Sequence, residues 1–336
     1  MKRTTKFTVM IVALLLVLTI GLAGCGTSKV AAPETSAVAE EAAVTSPLVG
    51  DPNEEYYCIA FLAGIDYWKG VFAGFQDAGN LYGVKTFYAG DPGYDVNKSV
   101  TVFEQVAAKN PAGITIACIN EDALLEPINA AIAAGIEVVT YDSDSPKSGR
   151  SSYLSTGNKA AGEAAARYMG QLLPDGGEVA LLYSVGQQNV EERVTGFTNV
   201  IEAEFPNIII KAKVNDKGDQ LEATKNLAAA LQANPNIAGV FCMDGVAGVA
   251  GATAVKESGK TNIKTIGFDT DKALLDMVKD GTIAATIAQG TYNMGYWSMN
   301  FLYHLKHELP EKDLPNFVDT GIIIVTKDNV DDFYVK

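Results

Sequence analysis

Acidic and amide residues recur at the ends of apolar, strand-like runs along this 336-residue chain. Asn120 follows GITIACI, and Asp142-Ser143-Asp144 follow IEVVTY. In the second half, Asp244 follows IAGVFCM and Asp269-Thr270-Asp271 follow KTIGF. Carboxylates and amides offer several lone pairs each, so such a set suits a ligand rich in hydroxyl donors. Each residue also suits the N-cap of the helix that comes next. Both readings stand residue by residue, and the paired recurrence in the two halves favours a shared cleft. Recognised catalytic patterns are missing from the sequence. There is no G-x-x-x-x-G-K-[ST] loop, no G-x-S-x-G elbow and no H-E-x-x-H helix. Binding rather than catalysis is expected, with no cofactor. His304 and His307 stand three apart, a spacing that in principle suits a metal with Glu308, but the outer part of a C-terminal helix is the expected place for them. Gly245, Gly248 and Gly251 read as tight helix packing.

The elements that must position these residues alternate regularly. Strands are expected at Tyr57–Ala63, Val84–Tyr88, Gly113–Cys118 and Ile136–Tyr141, with helical periods at Val96–Ala108 and Ala123–Ala134 between them. The alternation restarts after Asn158, with strands at Glu178–Tyr183, Ile208–Val214, Ile237–Cys242, Lys264–Phe268 and Ile283–Ala288. Repeated strand–helix–strand units imply parallel sheets with right-handed crossovers and helices on both faces. Two such runs imply an α/β protein of two doubly wound lobes. Ligands in such sheets sit beyond the carboxyl ends of the strands, where the polar residues fall.

The ends and the composition bound the compartment and the partners. Lys2, Arg3 and Lys6 precede an apolar run from Val9 to Ile20, and Leu22-Ala23-Gly24-Cys25 follows at once. That order reads as a secretion signal over 1–24 rather than a membrane span. The Leu-Ala-Gly-Cys end resembles a bacterial lipobox, which implies two acyl chains on Cys25 and anchoring to the cell membrane. Residues 25–51, rich in Ala, Glu, Thr, Ser, Val and Pro up to that point, read as a flexible tether. A net charge of −14 argues against a nucleic-acid partner. Cys58, Cys118 and Cys242 each lie in an apolar run and are expected as buried free thiols.

Several segments, taken in order, resemble the ribose-binding-like sugar-binding proteins of ABC importers, the type I periplasmic binding proteins. They are YWKGVFAGFQDAG from Tyr67, INEDAL from Ile119, VVTYDSD from Val138, EERVTGF from Glu191, IGFDTD from Ile266 and DGTIAATIAQ from Asp280. The resemblance implies two Rossmann-like lobes joined by a three-strand hinge. It places 52–156 plus 291–318 in an N-terminal lobe and 158–289 plus 321–336 in a C-terminal lobe. The hinge passages then fall near Thr156-Gly157, Gln289-Gly290 and Asp319–Gly321.

Carried over by position, the resemblance gives Tyr67 and Trp68 the aromatic contacts to a sugar ring. It gives Asn120, Asp142, Arg193, Asp244, Asp269 and Gln289 the polar ones. Asp144 joins them as part of the DSD stretch. Ser143 stands where the ribose pattern has Arg, and Ile65-Asp66 replace an Asn-Pro pair. Losing a cation and gaining carboxylates disfavours an anionic ligand, so a different pentose, a hexose or a polyol is expected rather than ribose. The implied partners are a monosaccharide or polyol, an ABC transporter permease and the membrane. A sensory receptor, reading a sugar or an autoinducer for a chemoreceptor or sensor kinase, is the alternative.

Overall fold

The computed structural model describes residues 48–309 and 313–334. The proposed leader, Cys25 and the tether as far as residue 47 lie outside them. The described body begins earlier than the expected tether boundary, because Gly50 N donates to Tyr82 O at 2.8 Å.

Strands β1 (Glu55–Ala60), β2 (Lys85–Gly90), β3 (Gly113–Ile116), β4 (Glu137–Tyr141) and β5 (Tyr153–Ser155) lie in one sheet. Strands β6 (Gly177–Tyr183), β7 (Ile208–Asn215), β8 (Ile237–Cys242), β9 (Lys264–Phe268) and β10 (Ala285–Gln289) lie in a second. Two late strands complete them: β11 (Phe317–Asp319) pairs parallel with β5, and β12 (Ile322–Val325) pairs antiparallel with β10. The full orders are β11-β5-β4-β3-β1-β2 and β12-β10-β9-β8-β6-β7. Each sheet therefore reverses winding beside its first strand, at β1/β3 and at β6/β8. A crevice opens outside the strand ends at such a reversal.

The central strands are apolar because both faces are covered. In β1 every residue after Glu55 is buried, and so are all four of β3. Cys58, Cys118 and Cys242 are buried free thiols in these strands or just past them. On one lobe, helix α1 (Tyr67–Tyr82) packs on the late helix α9 (Thr291–Lys306). On the other, α4 (Asn158–Leu172) packs on α5 (Gln188–Glu204).

Both pairs approach through glycine. A Cβ at Gly74 would fall on the carbonyl oxygen of Tyr292, and one at Gly295 on that of Val71. Likewise Gly162 faces the carbonyl of Arg193, and Gly196 that of Lys159. The remaining helices cover the sheets: α2 (Val96–Ala107), α3 (Leu125–Ala133), α6 (Gln220–Ala233), α7 (Gly245–Glu257) and α8 (Lys272–Asp280). In α7 a Cβ at Gly251 would collide with Cys242 Sγ and one at Gly248 would press on Leu274, so the glycine spacing serves packing. On the outer side of α9, Trp297 is 45% exposed.

The chain passes between sheets three times: after β5, after β10, and between β11 and β12. One carboxylate ties two passages, as Asp319 Oδ1 accepts from Gly157 N at 2.8 Å and Gly321 N at 2.9 Å. The third is joined to them by Gly290 N donating to Gly321 O at 3.1 Å, and by Thr156 Oγ1 donating to Gln289 Oε1 at 2.7 Å.

Candidate functional site

Two aspartates occupy equivalent places in the two sheets. Asp142 directly follows β4 and Asp269 directly follows β9. Both adopt left-handed backbone, with φ of 59° and 74°. Asp tolerates that region better than most non-glycine residues, yet it remains uncommon and must be held by its neighbours. The hold is the same in each lobe. Asp142 N donates to Leu154 O at 3.0 Å, and Asp269 N to Ile287 O at 2.8 Å. The Asp142 carbonyl accepts from Tyr153 Oη and Ser155 Oγ, while the Asp269 carbonyl accepts from Thr286 Oγ1. Neighbouring strands thus turn each carboxylate out of the sheet edge.

Around these carboxylates the side chains interlock. Tyr67, the first residue of α1, donates its hydroxyl to Asp142 Oδ1 at 2.6 Å. Gln289, the last residue of β10, donates Nε2 to Asp269 Oδ1 at 2.7 Å. Arg193 lies on α5 and is 3% exposed. Its guanidinium sits 3.8 Å over the Phe268 ring, with Nε donating to Asn158 Oδ1 at 2.9 Å and Nη1 to Met243 O at 2.7 Å. No acidic neighbour from its own helix pairs with it, and the glycine contact of α4 with α5 fixes its depth.

Burial pushes the Asp142 carboxyl up against the pull of Tyr67 and Arg193. Burial likewise takes Asp269 up to about 6, although Arg193 and Gln289 oppose it. Asp142 also raises Asp269, and burial first and then both carboxylates raise the Tyr67 hydroxyl, so the two lobes bring these groups into one electrostatic neighbourhood. Carboxylates held with unfavourable solvation are strengthened as acceptors for a ligand that donates hydrogen bonds. A cleft of about 680 Å³ opens onto Asp142, Thr156 and Asn158.

Three residues carry contacts within the protein at positions where the resemblance implied ligand contacts. Asp144 borders the cleft but is held by Arg150, with Arg150 Nη2 2.6 Å from Asp144 Oδ2 and Nε 2.9 Å from Oδ1. Arg150 restores to this wall the cation that Ser143 lacks, so the carboxylate excess read from DSD is neutralised. Asp244 serves as the N-cap of α7, accepting from Val246 N at 3.1 Å and Ala247 N at 2.9 Å, and also from Ser184 N at 3.0 Å. Burial, and then Asp216, raise it to about 7.

Trp68 is 2% exposed and meets Phe61, Tyr67 and Tyr141 edge-on at 5.2, 4.7 and 5.7 Å. It is a core residue that backs Tyr67, because the i+1 position of a helix start turns away from its neighbour. Asn120 borders the cleft and its Oδ1 accepts from Ala123 N at 2.9 Å. Among the described residues no cluster of three or more metal-ligating side chains occurs, and His307 instead meets Glu54 at 3.0 Å.

Residues 57–308 match the model of the periplasmic binding protein domain. This chain belongs to that family. Among solved structures, AraP, an arabinose binding protein from Geobacillus stearothermophilus, is 46% identical with a TM-score of 0.81, over 84% of this chain and all of that one. XylFII, solved in a complex with LytSN, is 27% identical with a TM-score of 0.72, over 82% of this chain and 98% of that one. The D-allose-binding periplasmic protein of Escherichia coli K12 is 25% identical over 81% of this chain and 92% of its own. These relatives of the periplasmic binding protein are named as sugar binders or carry the same fold. Thr156, expected only as part of the hinge, and Asn158, given no role in the sequence, complete the network at the first passage between lobes. Their signal was the polar pair on either side of Gly157, hidden by its position at the expected hinge.

Proposed function

We propose that this periplasmic binding protein captures a monosaccharide or related polyol between its lobes, a pentose foremost, and delivers it to an ABC transporter permease while anchored to the membrane through Cys25. The observation that carries the reading is the twin placement of Asp142 and Asp269, both within electrostatic reach of Arg193, with Gln289 joining Asp269 to that guanidinium. Oδ1 of each carboxylate accepts an internal hydrogen bond, and the remaining lone pairs are the acceptors for sugar hydroxyls in this reading. Arg193 and Gln289 add donors from the second lobe. The 46% identity to an arabinose binding protein supports a pentose.

The expected lobes, 52–156 with 291–318 and 158–289 with 321–336, close about the three tied passages. A ligand touching both lobes binds the closed form better and so raises its population. Calorimetry of the secreted body with L-arabinose, D-xylose, D-ribose and D-allose tests this. Saturable binding of at least one is expected, weakened tenfold or more by Asp142→Ala. Silence across a broad panel of pentoses, hexoses and polyols would remove the reading.

A second reading keeps the capture step and presents the closed form to a sensory partner. XylFII, 27% identical to this chain, is solved in complex with a second protein, LytSN, which supports docking on a protein partner. Sugar-dependent co-purification from membranes separates the two, by recovering either a permease with its ATPase or a kinase.

A further inference from the structure

We propose that the cleft carries an outer subsite, built on Tyr94 and Phe61 of the first lobe opposite Gln187, Gln188 and Asn189 of the second, that takes a second sugar ring. The occupant is a short oligosaccharide whose end unit sits against Asp142, Thr156 and Asn158 at the inner end of the cleft. This inference rests on the capture reading above and extends its substrate class.

The cleft reaches well beyond the inner network. From Asp142 and Asn158 it runs outward to Phe61 and Tyr94 on one side and to residues 186–189 on the other. Tyr94 is 61% exposed, an unusual state for a large ring bordering a cavity. Its loop is nevertheless tightly set. Asp91 Oδ1 accepts from Gly93 N at 2.8 Å, Ala63 N donates to Asp91 O at 2.9 Å, and Asp95 caps α2 by accepting from Lys98 N at 3.1 Å. The turn therefore fixes the backbone that carries the ring. Phe61 meets Tyr94 edge-on at 6.0 Å and Trp68 at 5.2 Å, so aromatic contacts run without a break from Tyr67 to the mouth.

A sugar ring has an apolar C–H face that an aromatic ring covers, and hydroxyls at its rim that amides bond. Tyr94 supplies the first, and the side chains of Gln187, Gln188 and Asn189 supply the second. Glu121 and Glu192 also border this part of the cleft, which suits a neutral ligand and opposes a phosphorylated one.

The test is calorimetry of the wild-type body and of Tyr94→Ala with matched pairs: L-arabinose with α-1,5-arabinobiose, and D-xylose with xylobiose. At least one disaccharide is expected to bind as tightly as its monosaccharide. Tyr94→Ala is expected to weaken that disaccharide fivefold or more and leave the monosaccharide within twofold, with Tyr94→Phe restoring wild-type affinity. Binding of monosaccharides alone, or an equal loss for both in Tyr94→Ala, overturns the outer subsite and leaves the capture reading standing. Failure of all four overturns the outer subsite, and the capture reading falls with it only if the broad panel of pentoses, hexoses and polyols is silent as well.

Discussion

Asp269 sits in a left-handed turn with its carboxyl raised to about 6, and that combination fixes how pH acts on the protein. An ordinary Asp titrates near about 3.9, so between about 4 and 6 the folded state holds more protons than the unfolded. The contribution of Asp269 to stability is therefore greatest at low pH and is lost as pH rises through 6. In the proposed site sugar hydroxyls donate to the ionised form, so affinity is expected to move the other way. It is expected to be flat above pH 7 and to fall as pH drops below 6, approaching tenfold per unit. Asp269→Asn keeps a side chain that tolerates the turn and removes the buried charge. Its sugar-free form should melt no lower than wild type at pH 7.5 while binding weakens tenfold or more, checked by thermal melts and calorimetry. Asp142 and Asp269 were legible in the sequence because strand ends announce themselves. Asp144 was legible as polar but not in role, and Asp244 was legible as either a helix cap or a ligand contact. Whether Arg150 or a helix N-terminus satisfies a carboxylate depends on loop geometry that no spacing encodes.

At the scale of elements, each lobe rests on one glycine-to-carbonyl crossing of helices. Gly295→Ala drives a methyl into the Val71 carbonyl, and Gly162→Ala drives one into the carbonyl of Arg193. Each is expected to cost about 1–3 kcal/mol through overpacking, read from denaturant midpoints. Both are expected also to weaken sugar binding of the folded protein, because Gly162→Ala moves α5 with the Arg193 guanidinium and Gly295→Ala moves α1 with Tyr67. Wild-type affinity in Gly162→Ala would show that Arg193 is not placed by this contact. The long apolar runs that became β1, β3, β4, β6, β8 and β9 were readable from sequence, since burial on both faces demands continuous hydrophobicity. The short strands β5, β11 and β12 were not. They span three or four residues, and β11 and β12 are largely unburied, so they leave no pattern. The glycine pairs were equally silent, because their partners lie more than 200 residues apart in one lobe and more than 30 in the other.

For the whole molecule, the three passages between sheets behave as one joint, since Asp319, Gly157, Gly290 and Gly321 share hydrogen bonds. Rotation of one lobe against the other has to pass through all three together. The family resemblance located these passages, and composition alone would not have. The chain has two tryptophans, and their settings differ sharply. Trp68 is sealed behind Tyr67, whereas Trp297 stands on the outside of α9. The protein therefore contains a built-in pair of lamps, one inside and one outdoors. Iodide is expected to quench the outdoor lamp whether or not sugar is present. A change in emission that survives Trp297→Phe and vanishes in Trp68→Phe would time the arrival of the guest, with no dye attached.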